Sequence, residues 1–205
     1  MLTIEERIQG IHRNYIDVIC PYVLLYELLD NTFPIEILNE IRAVFTHLSK
    51  CNISDDVQVK EDNLSKAESH IKRAVLDCYK YICMAYHDNY TKFENNYRNV
   101  DLSLVDNGEF LPNLLKARKK ALDLMLEARM SDLAIPSGGE GAVDEAYAKY
   151  EMAFIAYYSV DEIINESYEK LENLKKKVAL KNKLAVGSFA IGIIGICLSI
   201  VFYLT

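Results

Sequence analysis

Apolar side chains recur along this chain at spacings of three and four, the signature of amphipathic helices. Ile4, Ile8, Ile11, Tyr15, Val18, Ile19, Tyr22 and Leu25 trace a drifting stripe over residues 3–30, and Pro21 is expected to kink or split that helix. Asn31-Thr32-Phe33-Pro34 reads as a turn. A second helix is predicted from about 34 to 50, with Ile37, Leu38, Ile41, Val44, Phe45 and Leu48 as its core face. Residues 51–56 read as a loop and 57–60 as extended. A long third helix, about 61–95, carries its buried stripe on Leu64, Ala67, Ile71, Ala74, Val75, Cys78, Ile82 and Ala85. The polar stretch 95–110, with its Asn-Asn and Asp-Asn-Gly, reads mostly as loop. A fourth helix follows over about 111–130, and Pro136-Ser137-Gly138-Gly139 marks the next break. Beyond Gly141 no breaker appears, so a fifth helix is predicted to run on as one rod of about 60 residues, on the order of 90 Å. No stretch alternates with period two. The expectation is an all-α, antiparallel helical bundle.

The last segment changes the picture. Leu184 to Thr205 is 22 residues without a charge, enough at helical rise for a hydrocarbon core of about 30 Å. It predicts a single transmembrane helix. The segment 170–183 holds six Lys against one acid, Glu172, which leaves 17 basic and 29 acidic residues, or −12, in residues 1–169. A basic collar on an acidic body predicts a single-pass protein of the cytoplasmic (inner) membrane, its body on the cytoplasmic side. The division expected is 1–140 for the bundle, 141–183 for the long helix with its basic collar, and 184–205 for the span. Ala185, Ser188, Gly192, Gly195 and Ser199 fall at spacings of 3, 4, 3 and 4, a small-residue stripe along which two such helices could approach and oligomerise.

Composition narrows the chemistry. Of 205 residues 51% are hydrophobic, and there are only 8 Gly and 4 Pro, which excludes a disordered or collagen-like chain. The net charge of −7 argues against a basic nucleic-acid surface, and DNA is not an expected partner. Five cysteines, Cys20, Cys51, Cys78, Cys83 and Cys197, form no CxxC and read as packed thiols. Several of the fourteen tyrosines (Tyr147, Tyr150, Tyr157, Tyr158, Tyr168) follow one another at near-helical spacing, which reads as bundle packing. No phosphate-binding glycine loop and no HExxH is present, and four scattered His give no metal site. No cofactor is expected.

Arg42 and His47, in the string Asn39-Glu40-Ile41-Arg42-Ala43-Val44-Phe45-Thr46-His47-Leu48-Ser49, are the candidate chemistry. They stand about 140° apart on a helical wheel, on the half expected to turn away from the core, with Asn39 beside them. An Arg can steady a phosphate and a His can move a proton, so the pair suits metal-free RNA cleavage through the 2′-hydroxyl. That string, together with Ala67-x-x-His70-Ile71-Lys72-Arg73-Ala74-x-x-Asp77, resembles the motif helices of the HEPN superfamily over residues 5–130. The resemblance implies a dimerising all-α bundle with Arg42 and His47 at the shared site and Asn39 and His70 in support. Ala43 stands where active relatives carry a polar residue, which shifts the pair from turnover towards assembly or RNA contact. A HEPN-like bundle joined to a membrane helix is similar to membrane accessory and effector proteins of type VI-B CRISPR and abortive-infection systems. The function this implies is an antiviral defence effector that oligomerises and perturbs membrane permeability as a pore, with the lipid membrane, RNA or a CRISPR-type effector protein as partners. Two alternatives stand beside it: a membrane-tethered, metal-independent endoribonuclease, and a tail-anchored adaptor without activity.

Overall fold

The computed structural model describes residues 2–133, 140–184 and Ser188, all of them helix, turn or connecting loop. Helix α1 (Ile4–Arg13) starts at a capping box in which Thr3 and Glu6 satisfy each other's backbone N–H groups. It passes without interruption through a π-helical turn (Asn14–Ile19) into α2 (Cys20–Asp30). Pro21 causes no break; it sits in the first turn of α2, directly after the π turn. The π turn restores the register that the drifting stripe loses. Eight residues separate buried Ile11 from buried Ile19, about 80° apart in an unbroken α-helix; one extra residue in the turn reduces this to about 20°.

Asn31, in the left-handed conformation, ends α2. Helix α3 (Ile35–Ile53) then returns antiparallel to α4 (Val57–Asn96), the 40-residue axis of the molecule. Residues 57–60, expected to be extended, are the first turn of α4. Asp56 accepts hydrogen bonds from the N–H groups of Gln58 and Val59, and this cap overrides the β-branched pair. Helix α4 is flanked by α1–α2 and α3 and by α6, and its burial is densest over residues 74–86. The stretch expected as loop contains a short 3₁₀ segment (Leu102–Gly108) with left-handed Asp106, Asn107 and Gly108. Helix α5 (Phe110–Leu133) packs on α6 (Glu140–Glu166), and Tyr22, Tyr79, Tyr86 and Phe154 knit α2, α4 and α6 into one aromatic core. Tyr150 and Tyr157 are buried in that bundle, while Tyr158 and Tyr168 stay exposed.

Two predictions fail on the C-terminal side. The single rod is interrupted at Ser167, and a separate helix, α7, covers residues 168–184. At the break, Ser167 Oγ donates to Asp106 (3.1 Å) and Lys170 Nζ bonds the same carboxyl, which titrates below its ordinary value chiefly because of Lys170. Tyr97 adds a 2.6 Å hydrogen bond to Glu172. The second failure concerns the membrane. Among the described residues no helix is long and apolar enough to cross a bilayer. The single-pass anchor and the inner-membrane location expected from Leu184–Thr205 are therefore withdrawn; apart from Leu184 and Ser188, that segment lies outside the described residues. So does the break expected at 136–139.

A polar tie fixes α1 against the axis. Arg7 donates through Nε and Nη2 to the two carboxylate oxygens of Glu68 (2.8 and 2.6 Å), through Nη1 to Glu61, and through Nη2 to Ser65 (3.1 Å).

Candidate functional site

The sequence pairs Arg42 with His47; the fold separates them. Helix α3 buries Ile37, Val44 and Cys51 against α4, and this turns His47 inwards to the same interface. Arg42, Asn39 and Thr46 remain exposed on the outer side. The inference that His47 faces away from the core is thus corrected. The 140° between it and Arg42 spans the edge of the helix, with His47 inside the α3–α4 seam and Arg42 outside it.

His47 meets His70 instead. Their rings stack at 5.4 Å with 14° between planes. His47 Nδ1 lies 3.0 Å from Asn63 Oδ1, and Asn63 Nδ2 donates to the Val59 carbonyl (2.8 Å). That amide orientation assigns the proton of the bond to His47 Nδ1. His70 Nδ1 lies 2.6 Å from Glu40 Oε2, a carboxylate that can only accept, so this bond too is donated by the ring. Glu40 and Asn63 were not picked out by sequence reasoning, but a signal existed. In an antiparallel α3–α4 pair, residues 40 and 47 face residues 70 and 63, so two polar positions seven apart on each helix meet as two rungs. Chemically, the four side chains form a closed ladder, each hydrogen-bonded to a neighbour within the seam. Among the described residues neither imidazole is hydrogen-bonded to a guanidinium. The ladder locks the register of α3 on α4.

The open surface lies on the next face of α3. Tyr15 and Ile16 of the π turn and Ile41, Phe45 and Leu48 of α3 line a groove of about 430 Å³ floored by Ile71 of α4. Ile16 is 61% exposed and Phe45 73%. His12 and the Tyr15 phenol are the ionisable groups among its lining residues. Arg13 and Arg42, each next in the chain to a lining residue, are exposed.

Among the described residues no group of three or more His, Cys, Asp or Glu side chains is placed to hold a metal ion. The thiols are buried at Cys51, Cys78 and Cys83, and burial pushes Cys78 and Cys83 up to about 12. Of the small-residue stripe, only Ser188 is described; its hydroxyl donates to the Leu184 carbonyl (2.9 Å), and Ala185, Gly192, Gly195 and Ser199 lie outside the described residues.

No family model, no curated protein and no solved structure matches this chain. The resemblance to the HEPN superfamily is accordingly withdrawn, and with it the links to CRISPR and antiviral defence. It rested on two short strings, and the fold does not bring Arg42 and His47 into one site.

Proposed function

We propose that this bundle is a protein-interaction module without catalytic activity, which takes an amphipathic helix of a partner protein into the α1–α3 groove. One observation carries the reading: the polar side chains of the α3–α4 seam are spent on each other, whereas large apolar side chains around the groove are left in water. Exposing Ile16 and Phe45 has a cost of roughly 1.5–3 kcal/mol each relative to full burial, which a partner's apolar ridge would recover. The groove's concave, apolar wall suits the i, i+3, i+4, i+7 anchors of a docked helix. The exposed Arg13 and Arg42, next in the chain to His12 and Ile41 of the groove, favour acidic flanks on that helix.

A displayed library of helical peptides, selected on the immobilised protein, tests this. The enriched sequences are expected to share a 3/4-spaced apolar ridge with acidic flanks and to lose at least tenfold in affinity for Phe45→Glu. Enriched peptides that bind Phe45→Glu as well as the native protein would overturn the assignment. So would RNA cleavage in EDTA that His47→Gln abolishes, since that variant keeps a hydrogen-bonding side chain but cannot cycle a proton.

A further inference from the structure

Helices α4 and α5 run antiparallel, each packed on α6, and ion pairs tie them to one another at two levels. Lys80 reaches Asp132 (2.7 Å) at one level, and Arg118 reaches Glu94 (3.1 Å) at the other. Midway between the ties, two turns from each, the same register sets His87 against Met125. A thioether is only a weak acceptor, so the middle level makes no tie. The gap there is a hollow of about 360 Å³, at the small end of the range of roughly 300–1,000 Å³ found for ligand pockets. Met84 and His87 line its α4 wall, Leu122, Leu126 and Arg129 its α5 wall, and Tyr157 of α6 lies between them.

Three hydrogen-bond donors border this hollow, and none has an acceptor among the described residues. Tyr157 is 4% exposed, yet its hydroxyl makes no hydrogen bond. Burial and Cys83 push that phenol up to about 12 against the pull of Arg118 and Arg129, so it keeps its proton at neutral pH. The His87 ring stands edge-on to the Tyr157 ring, with centroids 6.4 Å apart, and its nitrogens bond to nothing. Arg129 is the third. Asp132, one turn further on, is already held by Lys80 and by the Tyr150 hydroxyl (2.7 and 3.3 Å). The charge of Arg129 is felt at Cys83, Tyr150 and Tyr157, which directs the guanidinium towards the hollow although the residue is exposed. Asp88 is the acid among the lining residues. It follows Tyr81 by two turns, and Tyr81 packs on Tyr26 of α2 (5.6 Å), so Asp88 belongs to the α2 side of the mouth; it makes no ion pair with Arg129.

Donors without acceptors call for a ligand that accepts. A carboxylate only accepts, and its two oxygens can take a guanidinium and a phenol together. The rest of the wall asks for something else. Met84 is 45% exposed, Leu122 38% and Leu126 63%, and a compact polar anion would leave all three in water. An aliphatic chain carrying a carboxylate at one end satisfies both halves.

We propose that the α4–α5 hollow binds a medium-chain fatty acid, its carboxylate on Arg129 and the Tyr157 hydroxyl and its chain along Met84, Leu122 and Leu126. The site is separate from the α1–α3 groove, and the inference stands whether or not that groove takes a partner helix.

Titration calorimetry of the full chain with decanoate, kept below its micellar concentration, tests this. One saturable site per chain is expected. Octanoate, with two fewer methylenes to bury, is expected to bind roughly tenfold more weakly. Decanol, which has the chain without the charge, is expected to lose at least tenfold. Arg129→Gln and Tyr157→Phe are each expected to weaken decanoate about tenfold or more, since each removes a hydrogen bond to a charged group. Both should keep the native circular dichroism spectrum, because Arg129 is exposed and Phe retains the ring of Tyr157. Phe45→Glu is expected to leave the affinity unchanged. Absence of saturable binding, decanol binding as tightly as decanoate, or native affinity in either Arg129→Gln or Tyr157→Phe would each overturn the proposal. So would loss of binding in Phe45→Glu, which would put the chain in the other groove.

Discussion

Replacing Arg7 with Met removes the guanidinium while keeping most of the aliphatic stem, and so isolates the tie between α1 and α4. The Arg7 side chain is 17% exposed, and its partners Glu61 and Glu68 are 37% and 31% exposed. The site is therefore neither a surface pair, worth 0–1 kcal/mol in the general case, nor a fully buried one, whose disruption costs about 3–5 kcal/mol. The bidentate bond to Glu68 and the bond to Glu61 place the loss between these limits, at about 2 kcal/mol. Two acidic side chains a turn or two apart on α4 would also be left without their shared cation. For a chain of this length that loss corresponds to a fall in Tm of roughly 4–8 °C. Urea unfolding followed at the helical band should show a lower midpoint with an unchanged slope. A double-mutant cycle with Glu68→Gln should return a coupling above about 1 kcal/mol. Arg7→Met within 0.5 kcal/mol of the native protein, or a cycle that closes to zero, would mean that the tie is screened by solvent and does not hold α1 in place.

Acid should loosen α7 before it unfolds the bundle. Asp106 and Glu172 both titrate below their ordinary values of 3.8 and 4.5, held down first by Lys170 and by Tyr97 respectively. The stabilisation they give is complete above those ordinary values and lost as pH falls through the lower, folded ones. Hydrogen exchange of amides 168–184 should therefore accelerate as pH drops below about 4, relative to α4 and after correction for intrinsic rates. Asp106→Asn should show the faster exchange already at neutral pH, and equal protection in the two proteins would refute the link. The thiols offer a separate check. Cys20, half-buried, should react with a disulfide reagent at pH 8 well before Cys51, Cys78 and Cys83, which should react only as fast as the protein opens. Rapid labelling of Cys78 or Cys83 in the folded state would contradict their burial.

Much of the helical order was legible because the periodicity of α3, α4 and α5 is strong, and their ends fall within a few residues of the predicted ones. What was not legible depended on contacts made at a distance. Nothing local to Ser167 breaks a helix; the break is stabilised by Asp106, some sixty residues earlier, so a reading confined to neighbouring residues runs straight through it. Val57 and Val59 carry a strand-like preference that the Asp56 cap outweighs. Arg42 and His47 were joined by their spacing, yet which side of α3 faces α4 is decided by Ile37, Val44 and Cys51, and that choice sends the two residues to different surfaces. His70 was noticed without its role. Its partner Glu40 becomes visible only when the antiparallel register of α3 and α4 is written out.

The π turn between α1 and α2 works as a phase shifter. Upstream of it, the face bearing Arg7 and Ile11 is aimed at α4; downstream, Ile19 and Val23 keep that aim although the residue count between them is wrong for an unbroken helix. Winding residues 14–19 as ordinary α-helix, with none removed, would leave a better-formed helix and a worse protein. The two halves would then be rotated by about 100° relative to one another, so that either Arg7 leaves Glu61 and Glu68 or Ile19 leaves the core. The same wide turn carries Tyr15 and Ile16 outwards, so the irregularity that keeps the core in step also supplies one wall of the groove.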